Sequence, residues 1–117
     1  MTRDFTTLAD IHIALLRIHE FIADMTREQF LADRKTQSAV IHQLIVIGEA
    51  TKRLSPDFRL AHAEVSWKEY AGLRDVLTHQ YDDVNLEWVW DTLVIELPEL
   101  RGRVEQLLPP PSETDEG

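Results

Sequence analysis

The chain has 117 residues, with 12 Lys and Arg against 21 Asp and Glu and a formal net charge of −9 at pH 7. That length supports one domain with one modest core, and 44% hydrophobic with 28% charged residues is globular composition, not disordered. The lack of Cys excludes disulfide frameworks, thiolate zinc sites and cysteine nucleophiles, and four scattered Gly exclude a P-loop or a dinucleotide fingerprint.

Apolar spacing is helical nearly throughout, with no sustained period-2 run. Leu8, Ile11, Leu15, Ile18, Ile22 and Met25 step by three and four along one stripe of a first helix. Thr26, with Gln29 three residues on and Met25 and Phe30 as a staple, opens a short second segment. Thr36 is the expected cap of a long helix running to about Leu54. Val40, Ile41, Leu44, Ile45, Val46 and Ile47 cover most of its circumference, so it should be central or shared with a second chain. Ser55-Pro56 is a cap followed by proline at the first helical position.

Val65-Ser66-Trp67-Lys68-Glu69-Tyr70 has the form of a capping box with a staple, and predicts a helix from near Trp67 to Gln80 or Tyr81. Asn85 caps the last helix, whose seam is Leu86, Trp90, Leu93, Leu97, Leu100, Val104 and Leu107. Pro98 removes the bond to the Val94 carbonyl and predicts a kink. Pro109-Pro110-Pro111 stops the helix. The expectation is an all-α antiparallel bundle of four to five helices over residues 1–108, followed by a disordered acidic tail at 109–117. The longest uncharged run, Thr36 to Gly48, is too short for a bilayer, and no apolar signal segment is evident, so a cytoplasmic domain with no membrane partner is expected.

Charge is segregated. Residues 34–74 carry seven basic and four acidic side chains, residues 75–108 two and eight. An acidic chain is a poor generic binder of nucleic acid, because phosphate attraction supplies most non-specific affinity. Arg34, Lys35, Lys52, Arg53, Arg59 and Arg74 could still make a local positive field, although a solvated surface is the plainer reading.

The chemistry-bearing stretch is Gly72-Leu73-Arg74-Asp75-Val76-Leu77-Thr78-His79-Gln80-Tyr81. On a regular helix Arg74 and Tyr81 share a face with Thr78 between them, whereas His79 lies about 140° from Arg74 and about 160° from the core residue Leu77. His79 therefore faces water or another molecule. As ordinary surface residues, Arg74 would pair with a carboxylate and His79 would sit near the negative end of the helix dipole. As a site, Arg74 suits a phosphate oxygen, His79 suits proton transfer, and Asp75, four residues before His79, could orient its ring.

The segment resembles the R-x-x-x-x-H-x-Y motif of HepT-like HEPN proteins, the toxin half of HepT–MntA pairs. Agreeing landmarks, in order, are Met25-Thr26-Arg27-Glu28-Gln29-Phe30-Leu31, Ile47-Gly48-Glu49-Ala50-Thr51-Lys52-Arg53-Leu54, Trp67 ahead of Gly72-Leu73-Arg74, and Val89-Trp90-Asp91 followed by Leu97-Pro98. Position 75 is Asp where many HEPN members carry Asn. The resemblance spans roughly residues 5–108 and implies an all-α HEPN bundle, usually a homodimer. It further implies a metal-independent endoribonuclease, without cofactor, that acts on RNA through Arg74 and His79. The partner it implies is a minimal MntA-like nucleotidyltransferase antitoxin of a type VII-like pair, which transfers AMP from ATP to Tyr81. A two-fold dimer would bring two copies of His79 and Arg74 to one groove, one imidazole acting as base and the other as acid or positioning group. The leading alternative is a catalytically silent helical module that docks such a nucleotidyltransferase.

Other constellations are weaker. His12, His19, His42, His62 and His79 form no Glu-x-x-His or His-Glu-x-x-His pattern, so no metal site is expected. His42 and Glu49, seven apart on the central helix, read most simply as satisfied core polar groups, with Glu49 as a possible anchor for an arginine. Trp67, Trp88, Trp90 and Tyr70 suggest a base-stacking platform, but Trp90 fits the core better, and Trp88 is the better contact-surface candidate.

Overall fold

Side-chain caps set where four of the helices begin. The computed structural model describes residues 3–79 and 83–109, and among these the backbone is helical between short connections, without a strand. Helix α1 (Arg3–Ile22) ends in a turn at Asp24, whose φ of 60° is a left-handed conformation that a short polar side chain tolerates. The capping box expected at Thr26 forms, with Gln29 N–H donating to Thr26 Oγ1 at 3.1 Å and Thr26 N–H donating to Gln29 Oε1 at 2.9 Å, and starts α2 (Arg27–Leu31).

Helix α3 (Arg34–Arg53) is capped by Asp33, not by Thr36. The Asp33 carboxylate accepts the Thr36 N–H at 3.0 Å and the Thr36 hydroxyl at 2.8 Å. As the N-cap, Asp33 satisfies an amide of the first turn and places an anion at the positive end of the helix dipole. Ser55 caps α4 (Pro56–Ala61), α5 spans Trp67–His79, and Asn85 caps α6 (Leu86–Asp91). A π-helical turn, Thr92–Glu96, links α6 to α7 (Leu97–Leu107). There the Leu97 N–H reaches back to the Thr92 carbonyl, and the widened turn makes room for the Pro98 ring.

α3 is the central element, packed by α1 on one side and α5 on the other, while α7 covers α1. Asp4 at the start of α1 meets Ser55 just beyond the end of α3, and His12 meets Glu105 near the end of α7, so α1 runs antiparallel to both. The molecule measures 44 × 29 × 20 Å, and its smallest dimension is about two helix diameters. Every helix therefore keeps a face near solvent, which is why Ile41, Ile45 and Val46 are only partly buried while Val40, Leu44 and Ile47 are fully enclosed. Trp67 is a core residue whose indole N–H donates to the His62 carbonyl at 2.9 Å, and Trp90 packs on Phe30 with ring centroids 5.2 Å apart. Neither is available as a stacking platform; Trp88 remains exposed. Tyr81 and residues 110–117, most of the expected tail, lie outside the described residues. No described helix is long and apolar enough to cross a membrane.

The Asp4 carboxylate accepts the Ser55 N–H at 2.8 Å and the Ser55 hydroxyl at 2.7 Å, and these bonds hold its pKa below the ordinary 3.8. Asp33 is lowered in the same way by Thr36. A depressed folded pKa contributes stability that is complete above the unfolded value and is lost as pH falls through the folded one. Acid unfolding followed by circular dichroism should therefore steepen below about pH 4. Asp4→Asn should lower the neutral-pH urea midpoint and flatten part of that acid slope; an unchanged slope would remove Asp4 from the account.

Candidate active site

The site is built on a close crossing of α3 and α5. A Cβ added at Gly48 would lie 2.7 Å from the Arg74 backbone nitrogen and 3.2 Å from the Tyr70 carbonyl oxygen. Glycine inside a helix costs roughly 1 kcal/mol relative to Ala, and here it permits an approach that no larger residue allows. The next charged residues along α3, Glu49 and Lys52, then meet Arg74 and Asp75 on α5.

Four charges of alternating sign follow. The Arg74 Nε pairs with Glu49 Oε1, and Arg74 Nη1 lies 3.4 Å from Asp75 Oδ1. Lys52 Nζ donates to Asp75 Oδ1 at 3.0 Å and to Oδ2 at 3.1 Å. The hydrogen bond from Lys52 holds the Asp75 carboxyl below its ordinary range; partial burial opposes it, and the positive charges of Lys52 and Arg74 add to the lowering. The four side chains are 39–52% exposed, so a ligand can reach them and solvent screens their pairing.

His79, the last residue of α5, is exposed and makes no hydrogen bond among the described residues. Five residues from Arg74, it lies about 7.5 Å further along a regular helix. Asp75 turns toward Lys52 and is not hydrogen-bonded to His79. The Thr78 hydroxyl donates to the Arg74 carbonyl at 2.8 Å, one turn back on its own helix. Among the described residues no three His, Asp or Glu side chains converge to hold a metal ion.

A family model described as ribonuclease HepT-like matches residues 11–107, from the middle of α1 to the last residue of α7. The chain belongs to the HepT-like ribonuclease family. It is 43% identical over 100 residues to a protein named "Probable ribonuclease HepT" from Thermococcus cleftensis, covering 86% of this chain and 91% of that one. It is also 43% identical over 101 residues to a candidate RNase of Methanocaldococcus jannaschii, covering 86% and 84% of the two chains. A candidate RNase of Caldanaerobacter subterraneus subsp. tengcongensis is 40% identical over 89 residues, covering 76% and 80%. No solved structure matches the chain.

In this HepT-like bundle, Arg74, Asp75 and Glu49 come together, and Lys52 joins them. Glu49 is half-exposed and holds Arg74, and His42 is exposed, so neither is the satisfied core group that the simpler reading expects. Lys52 had no individual role in the sequence, because its partner lies on another helix. The signal for the crossing was present in Gly48 itself, a glycine in the middle of a long helix.

Gly48→Ala should destabilise the fold by about 1–2 kcal/mol, since the roughly 1 kcal/mol gained in helix propensity does not offset the backbone clash. Gly72, whose added Cβ meets nothing within 4 Å, is the control: Gly72→Ala should stabilise by about 0.5–1 kcal/mol. Urea unfolding of both variants decides it, and equal effects would mean that the α3–α5 crossing has slack.

Proposed function

We propose that this HepT-like protein is a metal-independent endoribonuclease toxin of a type VII-like toxin–antitoxin pair. The reading is carried by one arrangement: an exposed arginine, held through its Nε by Glu49, and an exposed histidine near the end of the same helix, in a chain of a ribonuclease family. In the proposed cleavage the RNA 2′-oxygen loses its proton to a base and bonds to phosphorus. The 5′-oxygen leaves with a proton from an acid, and a 2′,3′-cyclic phosphate remains. Arg74 stabilises the charge that develops on the phosphorane oxygens.

One chain supplies one motif histidine, displaced around the helix from Arg74. A two-fold homodimer supplies the second, so that one His79 acts as base and the other as acid or positioning group. Glu49 supports the arginine electrostatically, Asp75 faces its Nη1 in the free protein, and Thr78 keeps to its own backbone. The proposed partner is an MntA-like nucleotidyltransferase that moves AMP from ATP to Tyr81. The new phosphodiester would compete with RNA for Arg74 and add the bulk of a nucleoside.

The test is cleavage of total RNA by purified protein in EDTA. His79→Ala and Arg74→Ala should each lower the rate about 10²–10⁴-fold. Mixed dimers of the two variants should depend on which chain supplies which residue. In cells carrying the partner enzyme, intact mass should rise by one adenylyl group located on Tyr81, with loss of cleavage. Silence in protein whose mass shows it unmodified would favour the alternative, a docking module without catalysis.

A further inference from the structure

We propose that Lys52 and Arg74 form a phosphodiester-binding subsite whose place is held, in the free protein, by the Asp75 carboxylate. The inference rests on the ribonuclease reading only in taking RNA as the ligand. A carboxylate and a phosphodiester offer the same recognition element, two anionic oxygens on one centre. Asp75 presents both of its oxygens to Lys52, at 3.0 and 3.1 Å, and shares Oδ1 with Arg74 Nη1 at 3.4 Å. Two cations from two helices thus converge on one small anion at an open surface.

The details favour exchange over a permanent lock. Solvent-exposed pairs of this kind hold weakly, so an incoming phosphate displaces Asp75 at little cost. The Arg74 guanidinium does not depend on Asp75 for its position, because Glu49 holds its Nε from the opposite helix. Arg74 Nη2 makes no hydrogen bond among the described residues, which leaves the end-on edge of the fork for a phosphate. The other cations at this end of α3 are engaged elsewhere. Arg59 donates to the carbonyls of Lys52 and Leu54, and Arg53 faces Asp10 at 3.8 Å. Lys52 is the α3 cation that reaches the site. Asp75, a carboxylate that its partners make harder still to protonate, competes with RNA at neutral pH as a full negative charge.

The experiment measures binding of the full chain to a fluorescent 2′-O-methyl oligoribonucleotide, which lacks the attacking hydroxyl, by anisotropy over a range of NaCl concentrations. Lys52→Met should weaken binding about three- to tenfold at low salt and reduce the magnitude of the log K–log salt slope by about 0.7, one single-strand phosphate. Lys52→Arg should restore both. Asp75→Asn should tighten binding about three- to tenfold, because it removes the competing anion while keeping the shape of the side chain. Wild-type affinity and slope in Lys52→Met, no tightening in Asp75→Asn, or no binding by the wild type would each overturn the subsite. Cleavage of unmodified RNA, measured in parallel in EDTA, separates the two levels. Intact cleavage with Lys52-independent binding sinks the subsite alone, whereas Lys52-dependent binding without cleavage sinks the ribonuclease reading and keeps the subsite.

Discussion

The missing side chain at Gly48 is the constraint on which the site depends. Because nothing projects from that position, the α3 backbone lies directly against Arg74 and the Tyr70 carbonyl. Glu49 and Lys52 then fall one residue and one turn further along α3, within reach of Arg74 and Asp75. A side chain at 48 would move the two helices apart along their whole contact, and the four charges would lose their alternation together. The rest of the fold serves this crossing. α1 supports α3 from behind, and the Asp4–Ser55 bonds fix the end of α3 nearest the site.

The alternating network contributes orientation more than stability. Each pair is about half-exposed, and long side chains held in one geometry lose much of what their attraction gains. The effect on Arg74 is different in kind. A guanidinium tied at its Nε has its plane fixed and its terminal nitrogens aimed, so less freedom is lost when it meets an anion. A buried arginine would hold its position better but could not receive a polymer. Partial exposure with one firm anchor is the compromise seen here.

Much of the fold was legible because helices announce themselves locally. The stripe from Leu8 to Ile18, the capping box at Thr26, the Ser55-Pro56 start and the Asn85 cap are short-range patterns, and each appears where its residues place it. Thr36 misled because a hydroxyl at N3 of a helix resembles one at the N-cap, and the carboxylate that decides the matter stands three residues earlier. The exposure of His79 also followed from the wheel, since it lies about 160° from the buried Leu77 on α5. What one helix cannot reveal is its partner. Lys52 with Asp75, and Glu49 with Arg74, are contacts between residues more than twenty positions apart. Glu49 already stood as a possible anchor for an arginine, but for Lys52 the only trace in the sequence is a glycine placed where helix propensity disfavours it.

A net charge of −9 is compatible with an RNA-directed surface once distance is considered. In physiological salt a charge is screened beyond about 8 Å, while the molecule extends 44 Å along its longest axis. An approaching phosphate therefore senses the few groups near it and not the total. In the network itself, Arg74 and Lys52 are balanced by Glu49 and Asp75, a sum of zero that becomes positive when one carboxylate turns away. Acidity elsewhere then acts against indiscriminate binding of nucleic acid. In the proposed subsite, contact is favourable where a strand can bring its phosphate to the α3–α5 crossing and take the place of Asp75.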